Sequence, residues 1–453
     1  MTKNFFAIFI PIVIYLLLSN YIPDLKNLIL ITLLISTVIF WALSILPNYQ
    51  TSLIFLFTSV LFSLSTKDMI FSGFSSSAFW LVFAGMLIAS AIKNVKLSER
   101  LANFFTNIKN PSYLKILIFI DIFSLLFSFI MPSSLGRVVL LMPIAIIIAK
   151  NFGFKERDKG YTGIMFTFIF STVIPAFTIL PSNVPNMILG GLVHEIYGFE
   201  LLYSHYFIMN FFVLGFLKNI IIVFLIYFMF NDTPKEFIFE TQKNSLSKDE
   251  KMVLVVTSIM LVFWATDFIH GISTTIISII GVLILANPTI NIIKTKDLSS
   301  LNFASLLLVA SIISLGNIVA NNSYIKEILT NAITFFEPTT YEIFNQIIIS
   351  SFMALSGIII TQPSIPAIFT PMAEQISQIS NFSLNEIIMM EVSAFSTIFF
   401  PFQSPPLIIG LALANIKQTK AIKFLLILAF ITILFLFPLQ YFWMQFVKSF
   451  LFN

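Results

Sequence analysis

A polar break, MPSSLGR at residues 131–137, interrupts the long apolar stretch 113–149. Basic residues flank the stretch at both ends, among them Lys109 and Lys150. Loops on the cytoplasmic side of a membrane collect Lys and Arg, so both ends are predicted to lie on that side. A segment that enters and leaves the membrane on one side is a hairpin. The sequence therefore predicts a re-entrant hairpin whose tip is the polar break.

Apolar side chains also dominate the rest of the chain. Of the 453 residues, 58% are hydrophobic and only 10% are charged, whereas a soluble domain carries roughly 25% charged residues. Three His and no Cys residues exclude disulfide bonds, thiolate metal sites and a histidine-rich metal centre. The net charge of +4 comes from basic residues in short loops, which is typical of membrane orientation and argues against a nucleic-acid partner.

Further apolar segments are long enough to cross a bilayer, which takes roughly 17–25 residues. They are residues 5–21, 27–46, 51–66, 76–93, 161–180, 205–230, 251–267, 272–289, 303–320, 387–404 and 422–447. A second stretch of hairpin length lies at 343–379. The sequence thus predicts an all-α polytopic membrane protein with about 11 transmembrane helices and two re-entrant hairpins. Nineteen of the 25 Lys and Arg residues then lie inside, with the N-terminus cytoplasmic and the C-terminus outside.

The two predicted hairpins resemble each other, which indicates an internal repeat. Pro143 follows the first polar break, and Pro371 follows the second one 228 residues later. Interrupted segments at 181–186 and 401–406 recur in the same order. Amphipathic stretches, predicted to be interfacial helices, precede the hairpins at 97–108 and 325–336. Since the hairpins open to opposite sides, the repeat is inverted, an arrangement typical of secondary transporters, whose binding sites lie at such interruptions.

Polar side chains gather at the four interruptions and predict a binding site there. A half-helix that begins at a hairpin tip has N–H groups without partners in the helix, and these favour an anion. Unwound carbonyl groups favour a small cation. The polar residues are Ser133 and Ser134 at the first tip, Thr361, Gln362 and Ser364 at the second, and Ser182, Asn183, Gln403 and Ser404 at the other interruptions. For a single Ser or Thr, a helix cap is the simpler explanation.

Arg137 is the most informative charge within the apolar segments. Placing a guanidinium there costs roughly 2.5–3.5 kcal/mol, so it is expected to have a partner or a role. One turn after the tip, it can grip a carboxylate or sulfate through two hydrogen bonds. The alternative is a structural ion pair with Asp121. Glu374 and Glu391 are candidates for proton coupling or are packed acids, and Lys218 is expected to snorkel or to pair.

At these interruptions the sequence resembles the divalent anion:sodium symporter family, whose members transport dicarboxylates, citrate and sulfate. The family carries a Ser-Asn-Thr signature at each hairpin tip, ten residues before a proline, as here. The corresponding residues are Ser133-Ser134-Leu135 and Thr361-Gln362-Pro363. NVPN at 183–186 and SPPL at 404–407 are similar to the family's Thr-Pro-Pro-Asn-like motifs. The resemblance runs in order along nearly the whole chain.

The resemblance implies an elevator-type homodimer in which a scaffold holds a moving transport domain. By position, the implied parts are a scaffold at 1–112 and 251–342, a transport domain at 113–230 and 343–453, and a cytoplasmic linker at 231–250. The implied cation-binding residues are Ser133, Ser134, Ser182, Asn183, Thr361, Gln362 and Gln403. Together with the polar groups described above, the candidate substrate-binding residues are Ser133, Ser134, Arg137, Gln362, Ser364, Ser404 and Pro405.

Departures from the family signature leave the coupling ion open. Ser134 and Gln362 stand where the signature has Asn, and Leu135 and Pro363 stand where it has Thr. Sodium coupling is expected from the resemblance, with sodium the one implied cofactor. Proton-coupled transport and anion exchange are the alternatives.

The expected function is secondary active transport of a small anion, with a di- or tricarboxylate ahead of sulfate or another oxyanion. A channel is disfavoured by the inverted repeat, and an intramembrane enzyme by the lack of a catalytic motif in the spans. The expected partners are the small anion, the lipid bilayer and a second copy of the chain. Rich use of Ile, Phe, Lys and Asn suggests an AT-rich genome and hence a bacterial inner membrane.

Overall fold

Helices form the framework of the described structure. The computed structural model describes residues 2–43, 45–96, 112–234, 246–333, 338–358 and 362–451, and no β-strand occurs among them. Seven helices in these ranges are long and apolar enough to cross a membrane: Lys67–Asn94, Tyr113–Ile130, Ser134–Asn151, Lys159–Thr178, Tyr203–Phe230, Phe303–Asn321 and Gln418–Phe450. Shorter apolar helices are Phe6–Leu18, Leu25–Trp41, Thr274–Ala286 and Glu342–Ser356. The all-α polytopic membrane fold is confirmed, while the exact number of spans and the re-entry of the hairpins stay predictions.

The helices are numbered along the chain. The first eleven are α1 (Thr2–Leu18), α2 (Leu25–Leu43), α3 (Asn48–Leu61), α4 (Lys67–Ser75), α5 (Ser77–Asn94), α6 (Tyr113–Ile130), α7 (Ser134–Asn151), α8 (Lys159–Val173), α9 (Val184–Tyr197), α10 (Tyr203–Asn210) and α11 (Lys218–Phe230). Two 3-10 turns, Pro175–Thr178 and Leu180–Ser182, lie between α8 and α9, and a π-helical stretch, Phe211–Leu217, joins α10 to α11.

Thirteen helices follow in the second half of the described chain. They are α12 (Lys248–Ala265), α13 (Asp267–His270), α14 (Thr274–Ala286), α15 (Thr295–Ser299), α16 (Phe303–Asn321), α17 (Ser323–Ile333), α18 (Glu342–Ser356), α19 (Ser364–Phe369), α20 (Ala373–Ser380), α21 (Leu384–Phe395), α22 (Pro405–Leu413), α23 (Gln418–Ile431) and α24 (Phe437–Leu451). Short 3-10 turns, Thr370–Met372 and Pro401–Gln403, precede α20 and α22, and a π-helical stretch, Thr432–Leu436, joins α23 to α24.

The helix predicted at 161–180 ends early, because α8 stops at Val173. Pro175 has no N–H group to continue the helical hydrogen bonds, and two 3-10 turns follow it. We call residues 174–183 the first break.

The helix predicted at 387–404 also ends early, since α21 stops at Phe395. Oε1 of Gln403 accepts hydrogen bonds from the N–H groups of Phe399 at 2.7 Å and Phe400 at 2.8 Å. This local bonding replaces the helical pattern. We call residues 396–404 the second break.

Helix α4 was not predicted from the sequence. Its first turn is capped by Thr66, whose Oγ1 accepts the N–H of Met69 at 3.3 Å, and Asp68 complements the helix dipole. Of the two predicted interfacial helices, the one at 97–108 lies outside the described residues, whereas α17 coincides with the described part of the one at 325–336.

Contacts group the chain into two compact units. The first unit contains Met1–Val82, Met187–Leu201 and Asn302–Phe395, and the second unit contains Phe83–Asn186, Leu202–Leu301 and Ser396–Asn453. In the first unit, α3 and α4 pack on α16, and α18 packs on α21. In the second unit, α6, α7 and α11 pack on α8, and α22 packs on α7 and α8. The division into scaffold and transport parts stays a prediction.

Helix α8 forms the centre of the second unit. Every residue from Gly160 to Val173 is buried, as expected of a helix that is apolar around its whole circumference. Oη of Tyr113 donates to the carbonyl of Gly160 at 3.1 Å, and Oγ of Ser128 donates to the carbonyl of Thr172 at 3.3 Å. The first contact joins the starts of the two helices and the second joins their ends, so α6 runs in the same direction as α8.

Helix α7 runs in the opposite direction along α8. Near its start, Arg137 donates to the carbonyl of Thr172 at the end of α8, and a short loop at 152–158 connects its end to the start of α8. The helices α6 and α7 therefore form a helical hairpin. Its first tip, residues 131–134, lies at the end where α8 stops.

Helix α22 begins at this same end of α8. Oη of Tyr161, at the start of α8, donates to the carbonyl of Ala414, just after the end of α22, at 3.2 Å. A Cβ atom on Gly410 would lie 2.9 Å from Cγ1 of Ile169, so glycine permits the close packing. Hence α22 runs antiparallel to α8 and parallel to α7.

Gly73 allows α4 to approach α16 closely in the first unit. A Cβ atom there would lie 1.8 Å from the carbonyl oxygen of Ala310. We expect Gly73→Ala to lower the free energy of unfolding by about 3 kcal/mol or more, because a backbone group must move. Gly198→Ala is the matched control, since nothing lies within 4 Å of its added methyl group and only its positive φ costs about 1 kcal/mol. Thermal unfolding in detergent measures both; an equal loss would contradict the packing.

Candidate functional site

The first tip presents a capped helix start. Ser133 is the N-cap of α7, and its Oγ accepts the N–H of Gly136 at 3.1 Å. Its main-chain carbonyl accepts the N–H of Arg137 at 2.9 Å. The N–H groups of Ser134 and Leu135 precede any acceptor in their own helix, and no other acceptor for them occurs among the described residues. The tip therefore offers two backbone donors together with the positive end of a helix dipole.

The guanidinium of Arg137 is fully buried and connects the first tip to the first break. Its Nη1 donates to Oγ of Ser182 at 2.9 Å, to the carbonyl of Ser182 at 3.3 Å and to the carbonyl of Met131. Its Nη2 donates to Oγ of Ser134 at 2.9 Å and to the carbonyl of Thr172 at 3.1 Å. All five acceptors are neutral oxygen atoms, so the positive charge is solvated without being cancelled.

The alternative of an ion pair between Arg137 and Asp121 is not observed. The carboxyl group of Asp121 lies beside the side chains of Ser171 and Asn219 instead. No ion pair within 4 Å joins Arg137 to an acidic residue in the described part of the chain. The structure thus brings together two of the predicted cation ligands, Ser134 and Ser182, around a cation that belongs to the protein.

Polar side chains hold the first break in its unwound form. Nδ2 of Asn186 donates to the carbonyls of Ala176 and Ile179, both at 2.8 Å. Oγ of Ser182 donates to the carbonyl of Ser128 at 2.7 Å. Oδ1 of Asn183 accepts the N–H of the next residue at 3.0 Å, while its Nδ2 has no partner among the described residues. The break therefore contributes one further unengaged donor.

The second tip lies in the first unit and is described only in part. Thr361 falls outside the described residues. Gln362 is buried, and its Nε2 donates to the carbonyl of Phe395, the last residue of α21, at 2.9 Å. Ser364 is buried at the start of α19. A side chain from this tip thus bonds the end of the helix that leads into a break, as Arg137 does at the first tip.

The second break offers fewer backbone donors. Gln403, predicted to bind a cation, uses Oε1 for the two N–H groups of its own loop. Ser404 is the N-cap of α22, and its carbonyl accepts the N–H of Leu407 at 3.0 Å. Pro405 and Pro406 open the helix and have no N–H group. Ligand binding by Gln362, Ser364, Gln403, Ser404 and Pro405 stays a prediction.

Lys218 is a buried cation at the second break. It is 1% exposed, so the expectation that it snorkels to the surface is wrong. Its Nζ donates to the carbonyl of Ser396 at 2.8 Å. Sequence patterns missed this pair, as they missed Thr172 and Met131, because the partners act through main-chain carbonyls that any residue type possesses.

Arg137 is expected to set the stability of the first tip. In Arg137→Lys, one ammonium group cannot reach all the acceptors that the planar guanidinium bridges. We therefore expect the free energy of unfolding to fall by about 2–4 kcal/mol. The control at the same tip is Ser133→Ala, which removes only a helix cap and should cost about 1 kcal/mol. Thermal unfolding in detergent compares them. Equal losses would show that the guanidinium network adds nothing beyond local capping.

Two comparisons with known proteins show what the chain is similar to. The model of the family described as the sodium:sulfate symporter transmembrane region matches residues 1–449. A membrane protein from Cupriavidus necator is 24% identical over 239 residues, covering 51% of this chain and 46% of that protein. The aligned part is thus under half the length of this relative. Because the family match covers almost every residue, the chain belongs to the sodium:sulfate symporter family, the divalent anion:sodium symporters.

Proposed function

We propose that the chain is a secondary active transporter that binds a small divalent anion at the first tip. Its family supports anion transport. The observation that carries the proposal is the buried guanidinium of Arg137, whose recorded acceptors are all neutral. In surroundings of low dielectric such a charge exerts a strong field, and an anion is the ligand that lowers its energy.

The donors proposed to contact the anion belong to the first tip and the first break. They are the N–H groups of Ser134 and Leu135 and the Nδ2 group of Asn183. Both terminal nitrogens of Arg137 already bond to the protein. Arg137 therefore acts through its charge and by fixing the site, in place of the two-bond grip that the sequence predicts.

Two cations of the protein bind carbonyl groups in the breaks of the second unit. Arg137 binds the carbonyl of Ser182, and Lys218 binds the carbonyl of Ser396. Unwound carbonyls of this kind bind the coupling cation in sodium-driven transporters. With these positions taken by covalently attached cations, we propose that anion binding does not require sodium. Exchange or proton coupling is then favoured over the sodium coupling suggested by the family.

The substrate class follows from the donors. Dicarboxylates, tricarboxylates and sulfate all present several negative oxygens to a compact group of N–H donors. Elevator-type movement and a homodimer belong to the same proposal and are supported by the family resemblance. A cytoplasmic N-terminus also belongs to it and is supported by the distribution of Lys and Arg. Inner-membrane localisation is proposed on composition alone.

Asn183 allows a test that leaves the backbone intact. Asn183→Asp retains the Oδ1 acceptor and replaces the unengaged donor with a negative charge. We expect it to weaken anion binding at least tenfold, since a lost charged hydrogen bond costs about 1.5–3 kcal/mol. Thermal shift with succinate, citrate and sulfate measures binding, because an anion at 100 times its dissociation constant stabilises the fold by about 2.7 kcal/mol.

The matched control is Asn231→Asp, which adds the same charge at an exposed residue. It should bind the anion as the unmodified protein does. Uptake into proteoliposomes of the anion that raises the unfolding temperature then establishes transport. Unchanged binding in Asn183→Asp would exclude the first tip as the site, and absence of any stabilising anion would contradict the proposed function.

A further inference from the structure

Glu391 is a carboxyl group enclosed within the first unit. It is 0% exposed, and its helix α21 packs on α18, α19 and α20. Oγ1 of Thr370 donates to its Oε2 at 2.8 Å. Its Oε1 has no hydrogen-bond partner among the described residues. One oxygen of the carboxyl group therefore accepts a hydrogen bond and the other has no hydrogen-bond partner.

No positive charge is available to neutralise this carboxyl group from the helices packed against it. The helices α18, α19 and α20 contain no Lys, Arg or His. Their ionisable residues are Glu342, at the start of α18, and Glu374, in the first turn of α20. Glu386 lies on α21 itself. An unpaired buried carboxylate is so costly that such a group normally takes up a proton.

A short series of contacts leads from Glu391 to the surface of the unit. Oη of Tyr197 donates to the carbonyl of Thr370 at 2.7 Å. The N–H of Glu374 donates to Oη of Tyr197 at 3.3 Å, and Glu374 is exposed. Only Thr370 thus separates the carboxyl group from a partly exposed phenol. Thr370 also begins the 3-10 turn that interrupts the second predicted hairpin, so the carboxyl group lies against a bend in the chain.

Asp121, a buried carboxyl group of the second unit, has different surroundings. It lies beside Ser171 and Asn219, and the helices packed on its own carry Arg137 and Lys218, which bond to carbonyl groups elsewhere. Its Oδ1 also has no hydrogen-bond partner among the described residues, but two polar side chains lie beside it and two cations stand on adjacent helices. It supplies a control with the same chemistry.

We propose that Glu391 is the proton-binding site that couples proton movement to anion transport. A proton from the aqueous phase forms an O–H bond at Oε1, which neutralises the carboxylate, and it is released to water after the anion has crossed. The inference rests on the proposed anion transport, whose coupling ion it specifies. Besides the carboxyl group of Glu391, the proposal needs no residue of the first unit to bind the coupled ion.

Glu391→Gln tests the proposal because the amide copies the neutral acid in size and charge and should fold. In proteoliposomes with an enclosed pH-sensitive dye, anion uptake by the unmodified protein should be accompanied by proton entry. Glu391→Gln should bind the anion with an affinity independent of pH and move it without protons. In the unmodified protein the affinity should fall about tenfold per pH unit above the titration point, as linkage of one proton requires. Asp121→Asn should behave as the unmodified protein.

A second measurement separates this proposal from the proposed function. The folded protein holds a proton that the unfolded chain releases at neutral pH, so its stability should decrease as the pH rises. Thermal unfolding without any anion should show this decrease in the unmodified protein and in Asp121→Asn, and a smaller one in Glu391→Gln. Proton entry that persists in Glu391→Gln, or an unchanged pH response of its unfolding, would overturn the proposal. A missing anion response with the unfolding difference intact would count against anion transport and not against the proton site.

Discussion

The bonds between the guanidinium of Arg137 and the oxygens around it determine the arrangement of the first tip. They join three pieces of chain: the tip itself, the end of α8 and the first break. The end of α8 is one of these pieces; α8 is buried on all sides and stops at Val173, just before Pro175. The start of α7 lies there, and α22 begins at the same end. A cluster of helix starts, unpaired donors and one uncancelled positive charge is the basis on which we propose anion binding.

Both units bury ionisable side chains. The second unit holds Arg137 and Lys218 on neutral oxygens, and the first unit holds Glu391 beside a threonine hydroxyl. Each unpaired charge is costly in a membrane, and such residues commonly mark transport pathways. In the proposed function, the cations attract an anion without a bound metal ion. The carboxyl group is the proposed site of the coupled proton.

Composition, charge distribution and interrupted apolar runs were sufficient to predict the helical membrane fold and the interruption at the first tip, and the motifs at the interruptions predicted the family. They located Arg137 and Ser134 correctly as neighbours near a helix start. They could not predict that α8 and α21 stop early, because Pro175 and the side chain of Gln403 act through local hydrogen bonding. The partners of Arg137 and Lys218 could not be predicted either. They are the main-chain carbonyls of Thr172 and Ser396, and every residue type has such a carbonyl.

The central claim is that Arg137 and Lys218 replace the cations that would otherwise complete the anion site. The affinity of the purified protein for its anion, titrated with sodium while potassium keeps the ionic strength constant, tests this most directly. The account predicts an affinity that changes less than about twofold between sodium-free and sodium-rich solutions, corresponding to under about 0.4 kcal/mol. An affinity that rises steeply with sodium concentration would show that a free cation still occupies the site and would contradict the account.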